Sequence, residues 1–135
     1  MSEVPLRSHL QGKPQSVLRL YREFASLVEE CGPVTYRVTK TAIAFKGTKR
    51  MFAGAKLTDS SLDGFLDLLR PVSDSRILST ARHTSRVFVN HFRITEDSQM
   101  DKEFMSWIQE AYRVGSGQVP TLDSKTKTEE NPTTS

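Results

Sequence analysis

The side chains whose ordinary titration lies closest to neutral pH are few: His9, His83, His91 and Cys31, in a chain of 135 residues. No two histidines stand at the i,i+4 or strand-alternate spacing that brings two ligands to one ion, so neither a metal site nor a cofactor is expected. Cys31 closes an apolar stripe of helical period, where a thiol is ordinarily buried and inert, and no catalytic role is assigned to it. Gly47-Thr48-Lys49 has the glycine and lysine of a phosphate loop without its spacer, and it lies between two strand-like runs, so it reads as a hairpin turn. Asp59, Asp63, Asp67 and Asp74 would serve hydrolysis only by converging with one another or with a lysine, and their spacing alone does not bring them together.

Charge points elsewhere. The chain carries 19 Lys and Arg against 16 Asp and Glu, a net charge of +3, too mild by itself to mark a nucleic-acid binder. Its distribution is more informative, because the segment from Ser116 onward carries −1, leaving +4 on residues 1–115. No stretch approaches the roughly 20 apolar residues that span a bilayer, and no apolar run follows a basic head at the N-terminus. Together with the single cysteine, this reads as a cytoplasmic chain with no membrane partner.

Three segments can be drawn. Residues 1–12 have no period and form a flexible lead, although Leu6 and Leu10 could pack locally. Residues 13–115 form a single α+β domain. Residues 116–135 offer only Val119 and Leu122 as aliphatics and are read as a disordered tail, since so little burial cannot offset the entropy of ordering.

Within the domain, Val17, Leu20, Tyr21, Phe24, Leu27, Val28 and Cys31 follow helical spacing between Pro14 and Gly32-Pro33, which suit the start and the stop. The period then changes to two. Val34, Tyr36 and Val38 form one alternating run, Thr41, Ile43 and Phe45 a second, and Met51, Ala53, Ala55 and Leu57 a third. Leu62 to Leu69 fits either a helical turn or a strand, with length favouring the strand. Arg86 to Ile94 alternates again, with Asn90 a polar exception among the inward residues. A last helix starts near Ser98 with Asp101 three residues on, and carries Phe104, Trp107, Ile108, Ala111 and Tyr112 as its core stripe. The order predicts an antiparallel sheet of five to six strands with the N- and C-terminal helices on one face.

The other face then meets water, and alternation assigns residues to it. On it fall Arg37, Lys40, Lys46, Arg50, Phe52, Lys56, His91 and Arg93, with the small residues Ala42, Ala44 and Gly54 between the long cations. Cations neutralise phosphates, small residues admit a close approach, and an aromatic ring accepts a base, so this surface is the candidate site for a nucleic acid or another polyanion. Recognition sheets usually present two or three aromatics, and this assignment supplies one.

Several segments resemble a bacterial family known as DUF5655, a domain of unknown function: Gly32-Pro33-Val34, the Lys40-Thr41-Ala42-Ile43-Ala44-Phe45 strand, Phe52-Ala53-Gly54, Ser75-Arg76-Ile77, and the closing helix from Asp101 to Tyr112. The resemblance runs from about Leu10 to Gly115. It implies that Leu62 to Leu69 is a strand and that the layout is similar to frataxin-like folds, and it implies no activity. Members often carry a cysteine-rich, zinc-ribbon-like segment ahead of the domain, which residues 1–11 here do not match. Members also tend to show a histidine near the start of the last strand, at a position corresponding to Asn90 or His91. The resemblance adds weight to Lys40, Thr41, Arg50 and Phe52, although Thr41 is expected to face inward in a structural role.

The combined reading is a non-enzymatic binding module that uses the basic sheet face. A protein-interaction accessory domain using the sheet edge or the first helix is the alternative, and an enzyme comes third.

Overall fold

A computed structural model describes residues 4–118. The tail expected to be disordered lies outside the described residues from position 119 onward. The first element, α1 (Arg7–Leu10), is a single turn whose last residue, Leu10, and whose N-cap, Leu6, rest against the core, and the Val4 N–H donates to the Val38 carbonyl at 3.1 Å. The long helix α2 (Gln15–Glu30) buries Val17, Leu20, Tyr21, Phe24, Ala25, Leu27 and Val28, the stripe its spacing predicts. It stops at Gly32, whose φ of 146° suits glycine and whose missing side chain leaves room for the Tyr112 hydroxyl.

Six strands follow: β1 (Thr35–Val38), β2 (Ile43–Lys46), β3 (Met51–Leu57), β4 (Leu62–Leu68), β5 (Ile77–Arg82) and β6 (Phe88–Ile94). They form one antiparallel sheet in the order β1-β2-β3-β4-β6-β5. Leu62 to Leu68 is thus a strand. Sequence periodicity does not place β5, because it is an exposed edge strand with no alternation to read.

The chain closes with a 3-10 turn (Asp97–Gln99) and the helix α3 (Lys102–Gly115). Ser98 lies in that turn. The N-cap of α3 is Asp101, whose carboxylate accepts from the Phe104 N–H at 3.0 Å. Among the described residues, no helix is long and apolar enough to cross a membrane.

Both long helices pack on one face of the sheet, around a chain of rings. Phe24 lies 5.3 Å from Phe92, Phe92 5.3 Å from Phe104, and Phe104 5.7 Å from Trp107. Ile43, Phe45, Ala53, Ala55, Leu62, Leu66, Phe92 and Ile94 complete this core. The β2–β3 hairpin is tied to the end of α3, since the N–H groups of Lys49 and Arg50 both donate to the Gly115 carbonyl, at 2.9 and 3.1 Å. Gly47-Thr48-Lys49 is accordingly a docked turn.

Asn90 faces this core and is fully buried. Its oxygen accepts from the Val72 N–H and the Thr80 hydroxyl, both at 2.9 Å, while its nitrogen donates to the carbonyls of Arg70 and Phe88 at 3.1 and 3.2 Å. A polar residue at an inward position is therefore a clamp that pins the β4–β5 connection and the β5 edge to the sheet.

Candidate functional site on the outward sheet face

Strand register fixes what the uncovered face presents. Its central row crosses all six strands as Arg37, Ala44, Gly54, Phe65, His91 and Ser79. At strand spacings near 4.8 Å this row spans about 24 Å. One flanking row contains Lys56, Asp63 and Arg93; the other contains Thr35, Lys46 and Met51 on one side and Asp67, Val89 and Ala81 on the other.

Of the residues assigned to this face, Arg37, Lys46, Lys56, His91 and Arg93 take outward register positions. Lys40 is exposed in the β1–β2 turn, and Arg50 is half-buried just ahead of β3. Phe52 is a correction. It is 0% exposed and packs edge-on against Tyr112 at 5.5 Å, on the helix side. The cause is a register irregularity in the β2–β3 pair between Phe45 and Lys46, which breaks strict alternation and turns Phe52 inward while Met51 faces out. Thr41 is a second correction, being exposed in the turn before β2 with its hydroxyl 3.3 Å from that of Thr39.

The aromatic residue of the face is Phe65, which the periodicity of β4 leaves ambiguous. A Cβ on Gly54 would come within 2.8 Å of the Phe65 ring, so the ring lies over the glycine. His91 is its neighbour, with ring centroids 6.3 Å apart and planes tilted by 39°. Two shallow hollows border Phe65. One, of about 310 Å³, is bounded by Ala42, Gly54, Lys56, Asp63, Leu78 and His91. The other, of about 410 Å³, is bounded by Arg50, Met51, Asp67, His83 and Val89.

The strand that brings Phe65 also brings Asp63 and Asp67, and these pair with two of the cations. Arg93 holds Asp63 in a two-pronged bond at 3.0 and 2.9 Å, and Ser61 donates to the same carboxylate at 2.8 Å. Burial alone would raise Asp63, yet Arg93 and Ser61 hold it below the usual carboxylate range. Arg50 donates to Asp67 at 3.1 Å. There burial prevails and pushes the Asp67 carboxyl up, against the charges of Arg50 and then of His83 and His91. Lys40 and Lys46 make no ion pair among the described residues. The face therefore divides into a cationic half on β1–β3 and a half on β4–β6 that carries rings and paired charges.

The carboxylates Asp63, Asp67 and Asp74 do not converge on one another, although Asp63 shares a hollow with His91 and Asp67 another with His83. Asp63 and Asp67 lie four residues apart on one strand, about 13 Å, and Asp74 is held by Arg76 at 2.8 Å. His9 is bonded to the Thr39 carbonyl at 2.5 Å. Cys31 borders a groove between the ends of α2 and α3, where burial pushes its thiol up and away from the thiolate form. Among the described residues, no three His, Cys, Asp or Glu side chains are placed to hold a metal ion.

These features define a small α+β domain with one helix-covered sheet face and one open face. The chain belongs to the DUF5655 family, the domain of unknown function whose profile matches residues 6–115. Neither the curated proteins nor the solved structures hold a match to it.

Proposed function

We propose that the domain is a cytoplasmic, non-enzymatic binding module that takes a single-stranded nucleic acid on its outward sheet face. The observation that carries this reading is Phe65, an aromatic ring laid over Gly54 at the centre of an uncovered sheet, with His91 beside it and Arg37, Lys46 and Lys56 toward β1. Rings give a stacking surface that tolerates any base, and the cations track the phosphates. Lys40, at the end of the β1–β2 hairpin, extends the cationic half.

The test is a fluorescence-anisotropy titration of a labelled ten-nucleotide single strand with the full chain at two salt concentrations. Affinity is expected to fall steeply as salt rises, because each neutralised phosphate releases counterions. The pair Lys46→Glu and Lys56→Glu should weaken every strand alike and lower the salt slope by about 1 per lost contact. Salt-insensitive binding, or full affinity in the double variant with folding intact, would overturn the reading.

Exposed Leu78 and Met51, at 53% and 40% on the same face, favour a second reading in which a protein docks there. That partner would bind with little dependence on salt.

A further inference from the structure

The hollow at Asp67 contains an acceptor that the fold itself does not fill. The Asp67 side chain is only 9% exposed, and its one hydrogen bond, on Oδ2, comes from Arg50. An ionised carboxylate has about four acceptor positions. The other buried polar groups of this sheet have their partners: Asn90 makes four bonds, and the Ser61 hydroxyl is shared between Thr58 and Asp63. Asp67 thus keeps acceptor positions that no protein group fills, and they open on a solvent-accessible hollow, where water or a ligand can supply the donors.

The surroundings restrict what those donors belong to. Phe65 and Val89 supply flat and apolar wall, and Arg50 stands beside the carboxylate in the same hollow. Arg50 uses one N–H on Asp67 and one on the Met51 carbonyl, which leaves further donors on its guanidinium. The complementary ligand is planar, offers two donors side by side to a carboxylate, and has an acceptor next to them for a guanidinium. Among the common bases, guanine alone has this edge: N1–H and the N2 amine are adjacent donors, and O6 is the neighbouring acceptor. Adenine and cytosine set a ring acceptor beside their amine, and uracil sets its one donor between two acceptors. Either of those arrangements would aim a lone pair at Asp67.

We infer that the hollow lined by Arg50, Phe65, Asp67 and Val89 is a guanine-selective subsite. Asp67 accepts from N1 and N2, Arg50 donates to O6, and Phe65 provides the stacking wall. This deepens the single-strand reading above and rests on it.

The experiment titrates the full chain with labelled decauridine strands whose central nucleotide is guanosine, inosine, adenosine, cytidine or uridine, and repeats the series with deoxyribose strands to separate RNA from DNA. The guanosine strand should bind about tenfold tighter than the adenosine, cytidine and uridine strands, the discrimination of one good two-pronged base contact. Inosine, which lacks the N2 amine, should fall between. Asp67→Asn should erase the preference, so that guanosine and uridine strands bind alike, while the freed Arg50 and the lost negative charge raise the affinity of all strands together. Equal affinity for all strands, or a guanosine preference that survives in Asp67→Asn, overturns the guanine subsite while the single-strand reading stands. No binding of any strand at low salt overturns both. The inosine comparison needs no variant, so a folding defect in Asp67→Asn does not decide the outcome.

Discussion

Arg76 and Arg50 each bind an aspartate on this domain, but one arginine belongs to a closed network and the other to an open one. Arg76 is 7% exposed and sends Nε and Nη2 to Asp74, Nη1 to Asp101 and to the Gln99 carbonyl, and Nη2 also to Glu103. Its guanidinium also lies 4.6 Å from the Trp107 ring centre. These bonds join the connection ahead of β5 to the first turn of α3. Arg50 makes one bond to Asp67, at a hollow on the outward face. Polar groups that hold a fold together are saturated by the fold, while those facing a ligand keep unused capacity. The strongest way to break this contrast is Arg76→Leu, which should lower stability by about 2–4 kcal/mol, because it removes several charge-assisted bonds together with the contact on Trp107. Urea denaturation at pH 7 measures it, and a loss within the range of ordinary surface substitutions would mean that the network is not structural.

Asn90→Leu should come next, at about 1–3 kcal/mol, since it takes four hydrogen bonds from a fully buried position and leaves the half-buried Val72 N–H without its partner. Thermal unfolding at neutral pH checks it, and a variant as stable as the parent would show that packing rather than hydrogen bonding holds the connection. A smaller effect on stability, but a large one on binding, is expected of Gly54→Val. A Cβ there would meet the Phe65 ring at 2.8 Å, so the side chain must swing off the sheet. The melting temperature should change by only a few degrees, on the order of 1 kcal/mol, while oligonucleotide affinity falls. Unchanged affinity would remove Phe65 from the site.

The two networks also differed in how legible they were. The helical stripes of α2 and α3 and the alternation in β1 to β4 and β6 announce the inner face, because burial imposes a period. The outer face has no such rule, and only parity with the inner face places its cations. Parity failed for Phe52, where one irregularity between β2 and β3 reverses the direction of a side chain. It also left out Phe65, because a phenylalanine among leucines reads as core. Asp63 and Asp67 were visible as carboxylates, but their pairing with Arg93 and Arg50 depends on which strands are neighbours. Arg76 stands out in the sequence only through the family-like segment Ser75-Arg76-Ile77, since its partners lie up to 27 positions away in the chain.

The smallest effect is also the sharpest test of the contrast, because the two aspartates should respond to pH with opposite signs. Arg76, through its side chain and then its backbone N–H, holds the Asp74 carboxyl down at about 2. A depressed carboxyl adds stability that is present above its unfolded value, near 3.8, and is lost as pH falls toward 2. Asp67 is displaced upward by burial. A raised carboxyl adds stability only below its unfolded value and loses it as pH rises through the folded one, so its charge is a cost at neutral pH. Asp74→Asn should therefore be less stable than the parent at pH 7 and converge on it as pH approaches 2. Asp67→Asn should match or exceed the parent at pH 7, by no more than about 1 kcal/mol, with any advantage gone by pH 3. Urea midpoints for the three proteins at pH 3, 5 and 7 decide the matter. If Asp67→Asn lost as much at pH 7 as Asp74→Asn, Asp67 would be one more member of the structural network, and its open acceptor positions would not mark a site.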